Sequence, residues 1–129
     1  MLWPRGQLTY GADSLGSWGR FTRLLKAAIR GVRGALGPGD SVRIMLQYSQ
    51  GGSTPGTLWF FDHMDAYSVP YDLIGLSYYP WWHGTLADLT ATLGTTAQRY
   101  GKDVMVVETS YPWRAGGNVL PAASAFGAR

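Results

Sequence analysis

Glu108 is the residue of this sequence best suited to catalytic chemistry. It is the only glutamate among 129 residues, and it ends the apolar run 104–107. The polar and aromatic segment Thr109-Ser110-Tyr111-Pro112-Trp113 follows it directly. A carboxylate in such surroundings can attack or stabilise the oxocarbenium-like centre of glycoside cleavage. A purely structural role, as an ion pair or an acceptor of backbone N–H groups at a strand end, is about equally compatible with the residues alone.

Two earlier apolar runs also end in polar and aromatic side chains. Gln47 and Tyr48 end the first, and residues 77–83, Ser-Tyr-Tyr-Pro-Trp-Trp-His, end the second. Tryptophan and tyrosine rings stack on the C–H faces of sugars, which favours a carbohydrate ligand, although the same rings are common in cores and interfaces. His83 has no second histidine or acidic residue at ligand spacing. We therefore expect no metal site, and a neutral imidazole that donates a hydrogen bond to a sugar or to the backbone.

Three segments carry the pattern of a helix. The second begins at Thr54-Pro55, an N-cap followed by proline, and runs through Asp65. The third begins at the capping box from Thr85 to Asp88 and ends at Gly101. The first, 17–35, and the third have apolar faces at helical spacing, which consist of Phe21, Leu24, Leu25, Ala28 and Val32 and of Leu86, Leu89, Leu93 and Ala97.

Strands are predicted over 42–48, 73–79 and 104–109. They begin about thirty residues apart with one helix in each interval, which is the βαβ pattern of a parallel sheet. A closed (β/α)8 barrel needs about 250 residues, so the chain is either an open α/β sheet or about half of a barrel. An open sheet usually carries a glycine-rich phosphate turn after its first strand. Gly51-Gly52 lacks that spacing, no P-loop motif occurs, and nucleotide binding is unsupported.

Composition and charge narrow the possible partners. The net charge of +3 comes almost wholly from arginine. Because no nucleic-acid module accompanies the basic stripe of the first helix, a solvated outer helix is the favoured interpretation. Without cysteine, a signal-peptide pattern or a membrane-spanning apolar run, we expect no disulfide, no cofactor, and neither nucleic-acid nor membrane partners. The oligomeric state is not indicated. The stripe consists of Arg20, Arg23, Lys26, Arg30 and Arg33.

Four ordered strings between residues 1 and 113 resemble the endo-β-1,4-galactanases of glycoside hydrolase family 53. The two most specific are I-G-L-S-Y-Y-P-W-W-H-G, at 74–84, and V-V-E-T-S-Y-P-W, at 106–113. The others are M-L-W-P at 1–4 and W-F-F-D at 59–62. The resemblance implies that residues 1–129 are part of a (β/α)8 catalytic domain, truncated at both ends, with approximately strands five to seven and their helices.

The resemblance also implies an activity and a set of site residues. The full-length enzyme would be extracellular and would cleave internal β-1,4-galactosidic bonds in the (arabino)galactan side chains of pectin by a retaining mechanism. Glu108 aligns with the nucleophile, and Gln47 stands where the family usually has histidine near the cleavage point. Tyr78 or Tyr79 would donate a hydrogen bond to Glu108. The implied sugar-binding residues are Tyr78, Tyr79, Trp81, Trp82, His83, Trp113 and Gln47.

A retaining glycosidase needs two carboxyl groups about 5–5.5 Å apart. The family's acid/base glutamate lies just before the M-L-W-P string, whereas Glu108 is the only glutamate here. We therefore expect the isolated chain to be inactive or nearly so. Three alternatives stay open: a non-catalytic galactan-binding fragment, another clan A β-glycanase such as a mannanase, and a truncated product that folds poorly because its strand edges are unpaired.

Overall fold

The computed structural model describes residues 16–110, with side chains from Trp18 onward. Helices and strands alternate along the chain, which confirms the predicted α/β class. The single addition to the predicted order is the short helix α3. The elements are α1 (Gly16–Gly34), β1 (Met45–Tyr48), α2 (Thr54–Ala66), β2 (Leu73–Tyr78), α3 (Pro80–His83), α4 (Leu86–Tyr100) and β3 (Asp103–Thr109).

The three strands form one parallel sheet in the order β1-β2-β3. The ladder between β1 and β2 begins where Met45 pairs with Leu73. Residues 42–44 have no pairing partner on β2, because β2 begins at Leu73. The strand β1 is therefore shorter than the predicted 42–48. In the central strand Ile74 and Leu76 on one face and Gly75 and Ser77 on the other are buried, as expected for a parallel strand covered on both faces.

The described residues divide into two compact units, one of residues 16–44 and 60–71, the other of residues 45–59 and 72–110. In the first unit the predicted apolar face of α1 is wrong at Leu24, which is 63% exposed, and at Ala28 and Val32, whereas Phe21 and Leu25 are half-buried. The side chains of Thr22 and Ile29 are buried instead. The pattern missed this face because it includes a threonine, whose hydroxyl is satisfied by donating to the Trp18 carbonyl at 2.8 Å.

The second unit contains the sheet and α4. The predicted capping box is confirmed, since Asp88 N–H donates to Thr85 Oγ1 while the Asp88 carboxylate accepts from Thr85 N–H. Gly101 ends the helix in the left-handed conformation, as predicted, and its N–H donates to the Ala97 carbonyl. The predicted apolar face is wrong at Leu86, which is 69% exposed. The buried residues of α4 are Leu89, Thr92 and Thr96.

None of the helices within residues 16–110 combines the length and the apolar character that a bilayer crossing requires. Three arginines of the basic stripe on α1, Arg23, Arg30 and Arg33, are exposed.

Candidate active site

The polar ends of the three strands meet, as the parallel arrangement predicts. Gln47 of β1 donates from Nε2 to Glu108 Oε2 of β3 at 2.7 Å and to Ser77 Oγ of β2 at 2.8 Å. Ser77 Oγ in turn donates to Glu108 Oε2 at 3.0 Å. One oxygen of the carboxylate therefore accepts two hydrogen bonds from the neighbouring strands. Ser77 is a member of this network that the motifs did not predict.

The other oxygen of Glu108 accepts a hydrogen bond from Tyr79. The distance from Tyr79 Oη to Glu108 Oε1 is 2.5 Å. Of the two tyrosines implied by the resemblance, Tyr79 makes this contact and Tyr78 does not. Tyr78 is buried, and its hydroxyl donates to the Gly84 carbonyl at 2.9 Å. The structure thus assigns the two adjacent phenols to different tasks, one at the carboxylate and one in the loop that follows α3.

A shift of register in β3 determines the face on which Glu108 lies. Leu76 pairs with Val106, but the next residue, Ser77, pairs with Glu108, so that Val107 is an extra residue on β3. Strict alternation would place residue 108 on the same face as Val106. The β-bulge at Val107 instead turns Glu108 to the face of Ser77, where the hydrogen bonds described above form. A periodicity of two in the sequence cannot reveal this feature.

These hydrogen bonds lower the pKa of Glu108. The largest cause is the hydrogen bond from Tyr79, followed by that from Ser77, with smaller contributions from Gln47 and from the nearby His83, whereas desolvation acts in the opposite direction. The same bond to Glu108 raises the pKa of Tyr79. At neutral pH the site therefore holds an ionised carboxylate beside a protonated phenol. Such a carboxylate is suited to nucleophilic attack and poorly suited to donating a proton.

His83 contacts the backbone of the same turn. Its Nδ1 accepts a hydrogen bond from the Tyr79 N–H at 3.0 Å, so a neutral ring carries its proton on Nε2. Burial lowers the pKa of His83, against opposing effects from the Ser77 backbone and the Glu108 charge. The sequence left open a hydrogen bond from His83 to a sugar or to the backbone. The structure shows a hydrogen bond with the backbone, but the imidazole accepts it at Nδ1 rather than donating.

The helix α3 presents the two tryptophans differently. Residues 80–83, predicted as part of the segment that ends the second strand, form one helical turn that begins at Pro80. The Tyr79 carbonyl accepts hydrogen bonds from the N–H groups of Trp82 and His83. Trp82 is 71% exposed. Trp81 is partly buried, and its Nε1 has no hydrogen-bond partner among the described residues.

The other predicted site features have varied outcomes. Trp113 lies outside the described residues, as do the M-L-W-P string and the segment after Ser110. Two aspartates outside the predicted site have partners elsewhere, since Asp88 caps α4 and Asp65 accepts a hydrogen bond from the Tyr71 hydroxyl. Within residues 16–110, no group of three or more histidine and acidic side chains could hold a metal ion.

Comparison with known proteins identifies the same family as the motifs. A sequence model of glycosyl hydrolase family 53 matches residues 1–124. An uncharacterized protein of Niallia circulans is 42% identical over 114 residues, which cover 88% of this chain and 30% of that protein. The endo-β-1,4-galactanase of Bacillus subtilis is 34% identical over 115 residues, which cover 89% of this chain and 26% of that enzyme.

The fold has solved counterparts. The GH53 catalytic domain of Ignisphaera aggregans superimposes with a TM-score of 0.70 at 33% identity, over 85% of this chain and 29% of that domain. The prediction of a partial (β/α)8 barrel is thereby confirmed. The chain spans about 30% of the length of the curated relatives it matches.

Proposed function

This chain belongs to glycosyl hydrolase family 53, and we propose that it forms part of the catalytic domain of an endo-acting enzyme that cleaves β-1,4-galactosidic bonds in (arabino)galactan. The observation that carries the proposal is the network at Glu108, where three neighbouring side chains donate hydrogen bonds to one carboxylate. Because galactan is a polymer of the plant cell wall, we infer that the whole protein acts outside the cell.

Glu108 acts as the nucleophile. A carboxylate offers about four acceptor positions, and three of them are occupied: two on Oε2 by Gln47 and Ser77, and one on Oε1 by Tyr79. The remaining lone pair is on Oε1, which is therefore the atom that attacks the anomeric carbon. The C–O bond to the leaving sugar breaks as the glycosyl–enzyme ester forms, and water later cleaves that ester with retention of configuration.

The sugar rings stack on the aromatic residues around this carboxylate. Trp82 is the most exposed ring beside the site, and we assign it, with Trp81, Trp113 and His83, to substrate contact. Tyr79 orients the nucleophile through its hydrogen bond to Glu108, whereas the buried Tyr78 stabilises the loop after α3 through its hydrogen bond to the Gly84 carbonyl. Gln47 mainly orients the nucleophile rather than the sugar, since its amide nitrogen already donates hydrogen bonds to Glu108 and Ser77.

The proton donor of the reaction is not among these residues. Glu108 is the only glutamate of the 129 residues, and Asp103 lies at the amino end of β3, opposite to Glu108. Asp88 is engaged in the cap of α4. We infer that the chain supplies the nucleophile of a two-carboxylate mechanism and that, by itself, it does not hydrolyse galactan. Glu108-dependent release of reducing ends by the purified 129-residue chain would contradict this inference.

A chimera tests the role of Glu108. Residues of this chain replace the segment that they match in the Bacillus subtilis endo-β-1,4-galactanase, and hydrolysis of galactan is measured. Glu108→Gln is expected to lower kcat by at least about 1,000-fold, because a neutral amide cannot form the ester. Asp103→Asn, which removes a carboxylate from the other end of the same strand, is the matched control and should leave kcat within about threefold.

Rescue of an inactive variant by an added nucleophile tests the retaining mechanism. In the Glu108→Ala chimera, azide added with an activated galactoside should restore turnover and give the α-galactosyl azide, since the anion attacks from the side that Glu108 vacates. A β-product, or full activity of Glu108→Gln, would reject Glu108 as the nucleophile.

A non-catalytic galactan-binding chain is the second candidate, and the single glutamate favours it. Retention of the 129-residue chain on insoluble galactan but not on mannan, without product, would support binding alone. Equal retention on mannan would instead favour another clan A β-glycanase.

A further inference from the structure

We propose that a cavity beside Glu108 is a further galactosyl-binding subsite, formed by Gln50 and Ser53 after β1 and by Trp82 and His83 of α3. The inference rests on the proposed function and extends it to Gln50 and Ser53, which neither the motifs nor the nucleophile network include; Trp82 and His83 belong to the motif at 74–84. The cavity has a volume of about 370 Å³, and these four are the residues of the described part of the chain that line it. Ligand sites generally measure about 300–1,000 Å³, and the lower part of that range suits a sugar unit.

Trp82 provides an aromatic wall that is exposed and yet held in place. Its ring centroid lies 5.6 Å from that of Tyr79 and 5.6 Å from that of Trp81, both at steep interplanar angles. These edge contacts restrict the indole while most of its surface faces solvent. A large exposed aromatic ring supported in this way is typical of a surface that binds an apolar or C–H face.

The opposite wall offers hydrogen-bonding groups that the protein does not use itself. The side-chain amide of Gln50 makes no hydrogen bond with any residue in the described part of the chain. Ser53 Oγ accepts from the Gly56 N–H at 3.2 Å, so its own hydrogen stays available for donation. An amide and a hydroxyl can together accept from and donate to the hydroxyl groups of a neutral sugar, and among residues 18–110 no carboxylate, lysine or arginine lines the cavity.

Backbone contacts hold the loop after β1, which carries Gln50 and Ser53, against β2 and α3. Gly51 N–H donates to the Ser77 carbonyl at 2.9 Å, which joins the loop after β1 to β2. A Cβ at Gly52 would lie only 1.5 Å from the His83 carbonyl oxygen, so the two backbones approach as closely as glycine permits. Thr57 Oγ1 and the Ser53 N–H both donate to the Gln50 carbonyl. The cavity is thus formed before a ligand arrives, which reduces the entropic cost of binding.

His83 connects the cavity to the nucleophile. It lines the cavity, and its Nδ1 accepts from the N–H of Tyr79, whose hydroxyl donates to Glu108. Two side chains therefore separate the cavity from the attacking carboxylate. A galactan chain with one unit at Glu108 can place another unit of the same chain in the cavity, and affinity should increase with chain length because of it.

The test uses the full 129-residue chain, with its folding checked by circular dichroism, and β-1,4-galactotetraose and galactobiose as probes in calorimetric titrations. Gln50→Ala and Ser53→Ala are each expected to weaken tetraose binding by about 3- to 10-fold, the effect of one lost hydrogen bond, and biose binding by less than about twofold. Gln98→Ala, at an exposed glutamine of α4, is the matched control and should change neither affinity.

A second measurement needs no variant. The side-chain amide signals of Gln50 should shift during titration with tetraose in a nitrogen–proton correlation spectrum, whereas those of Gln98 should not. Tetraose binding that neither substitution weakens, with unmoved Gln50 signals, overturns the subsite and leaves the proposed function standing. Absence of any galacto-oligosaccharide binding by the folded wild-type chain counts against the proposed function as well.

Discussion

Two aromatic clusters of similar composition occupy different environments in this molecule. The core cluster consists of Trp18, Phe21, Phe60, Phe61 and His63, and the site cluster of Tyr79, Trp81, Trp82 and His83. Each combines tryptophan with histidine: in the core cluster Trp18 stacks on His63 with centroids 4.3 Å apart, and in the site cluster the ring of His83 lies 5.7 Å from that of Tyr79. Composition alone would assign both to the same role.

Exposure and polar partners distinguish the two clusters. Phe61 has no solvent-exposed surface, and its ring packs against Phe60 and Tyr71. Trp82 is mostly exposed, and its neighbour Tyr79 donates to an ionised carboxylate. The same residue types therefore build a core on a helix face and, at a strand end, lie exposed beside a charged group.

The largest effect on stability is expected from Phe61→Ala in the core cluster. Removal of a fully buried phenyl ring should lower the free energy of unfolding by about 3–5 kcal/mol. Trp82→Ala removes a larger ring but from the surface, and should cost less than about 1 kcal/mol. Urea unfolding of both variants measures the difference. Equal destabilisation by the two substitutions would remove the distinction between the clusters.

A smaller effect is expected from Gly52→Ala, which tests how tightly the site cluster is held. The new methyl group would overlap the His83 carbonyl oxygen, and the resulting backbone shift should cost about 1–3 kcal/mol. Gly94→Ala on α4 is the control, because a Cβ there meets nothing within 4 Å, and alanine in a helix should stabilise by about 0.4–1 kcal/mol. A Gly52→Ala protein as stable as wild type would contradict the close contact.

The smallest change in structure, Tyr79→Phe, should alter the titration of Glu108. Loss of the largest cause of the lowered pKa should move the pKa of Glu108 upward. A carboxylate with a lowered native pKa contributes stability at neutral pH that is lost as the pH falls through that pKa. At neutral pH the variant should therefore be less stable than the wild type. As the pH falls, its free energy of unfolding should decrease by less than that of the wild type.

Carbon NMR of selectively labelled glutamate follows this titration without overlap, because Glu108 gives the only glutamate signal. Tyr78→Phe is the matched control, since the Tyr78 hydroxyl donates to Gly84 and not to Glu108. A pKa of Glu108 that is unchanged in Tyr79→Phe, or equally raised in Tyr78→Phe, would reject the positioning role of Tyr79.

Local patterns in the sequence predicted most of the fold. The capping box at Thr85 and the helix end at Gly101 depend on residues within four positions of each other, and both are confirmed. The spacing of apolar runs likewise predicted the parallel sheet. The faces of α1 and α4 were predicted less well, because buried threonines such as Thr22 and Thr92 do not register in an apolar count.

The sequence predicted that Glu108 lies beside one of two tyrosines, but not the geometry of that contact. The motifs indicated Glu108 and the aromatic residues, and the parallel strands brought Gln47 and Glu108 together. The choice between Tyr78 and Tyr79 depends on tertiary contacts. The contact of Gly52 with His83 joins residues 31 positions apart in the chain, and no local pattern encodes such a pairing.

The extra residue in β3 has a consequence for the evolution and engineering of this sheet. If Val107 paired with Ser77, β2 and β3 would form an uninterrupted ladder, and regular pairing favours stability. Glu108 would then pair with Tyr78, and its carboxylate would lie on the opposite face of the sheet from Ser77. Selection for stability alone would thus favour the uninterrupted strand, whereas selection for activity would retain the irregular one, so stabilising designs for this region should leave residues 106–108 unchanged.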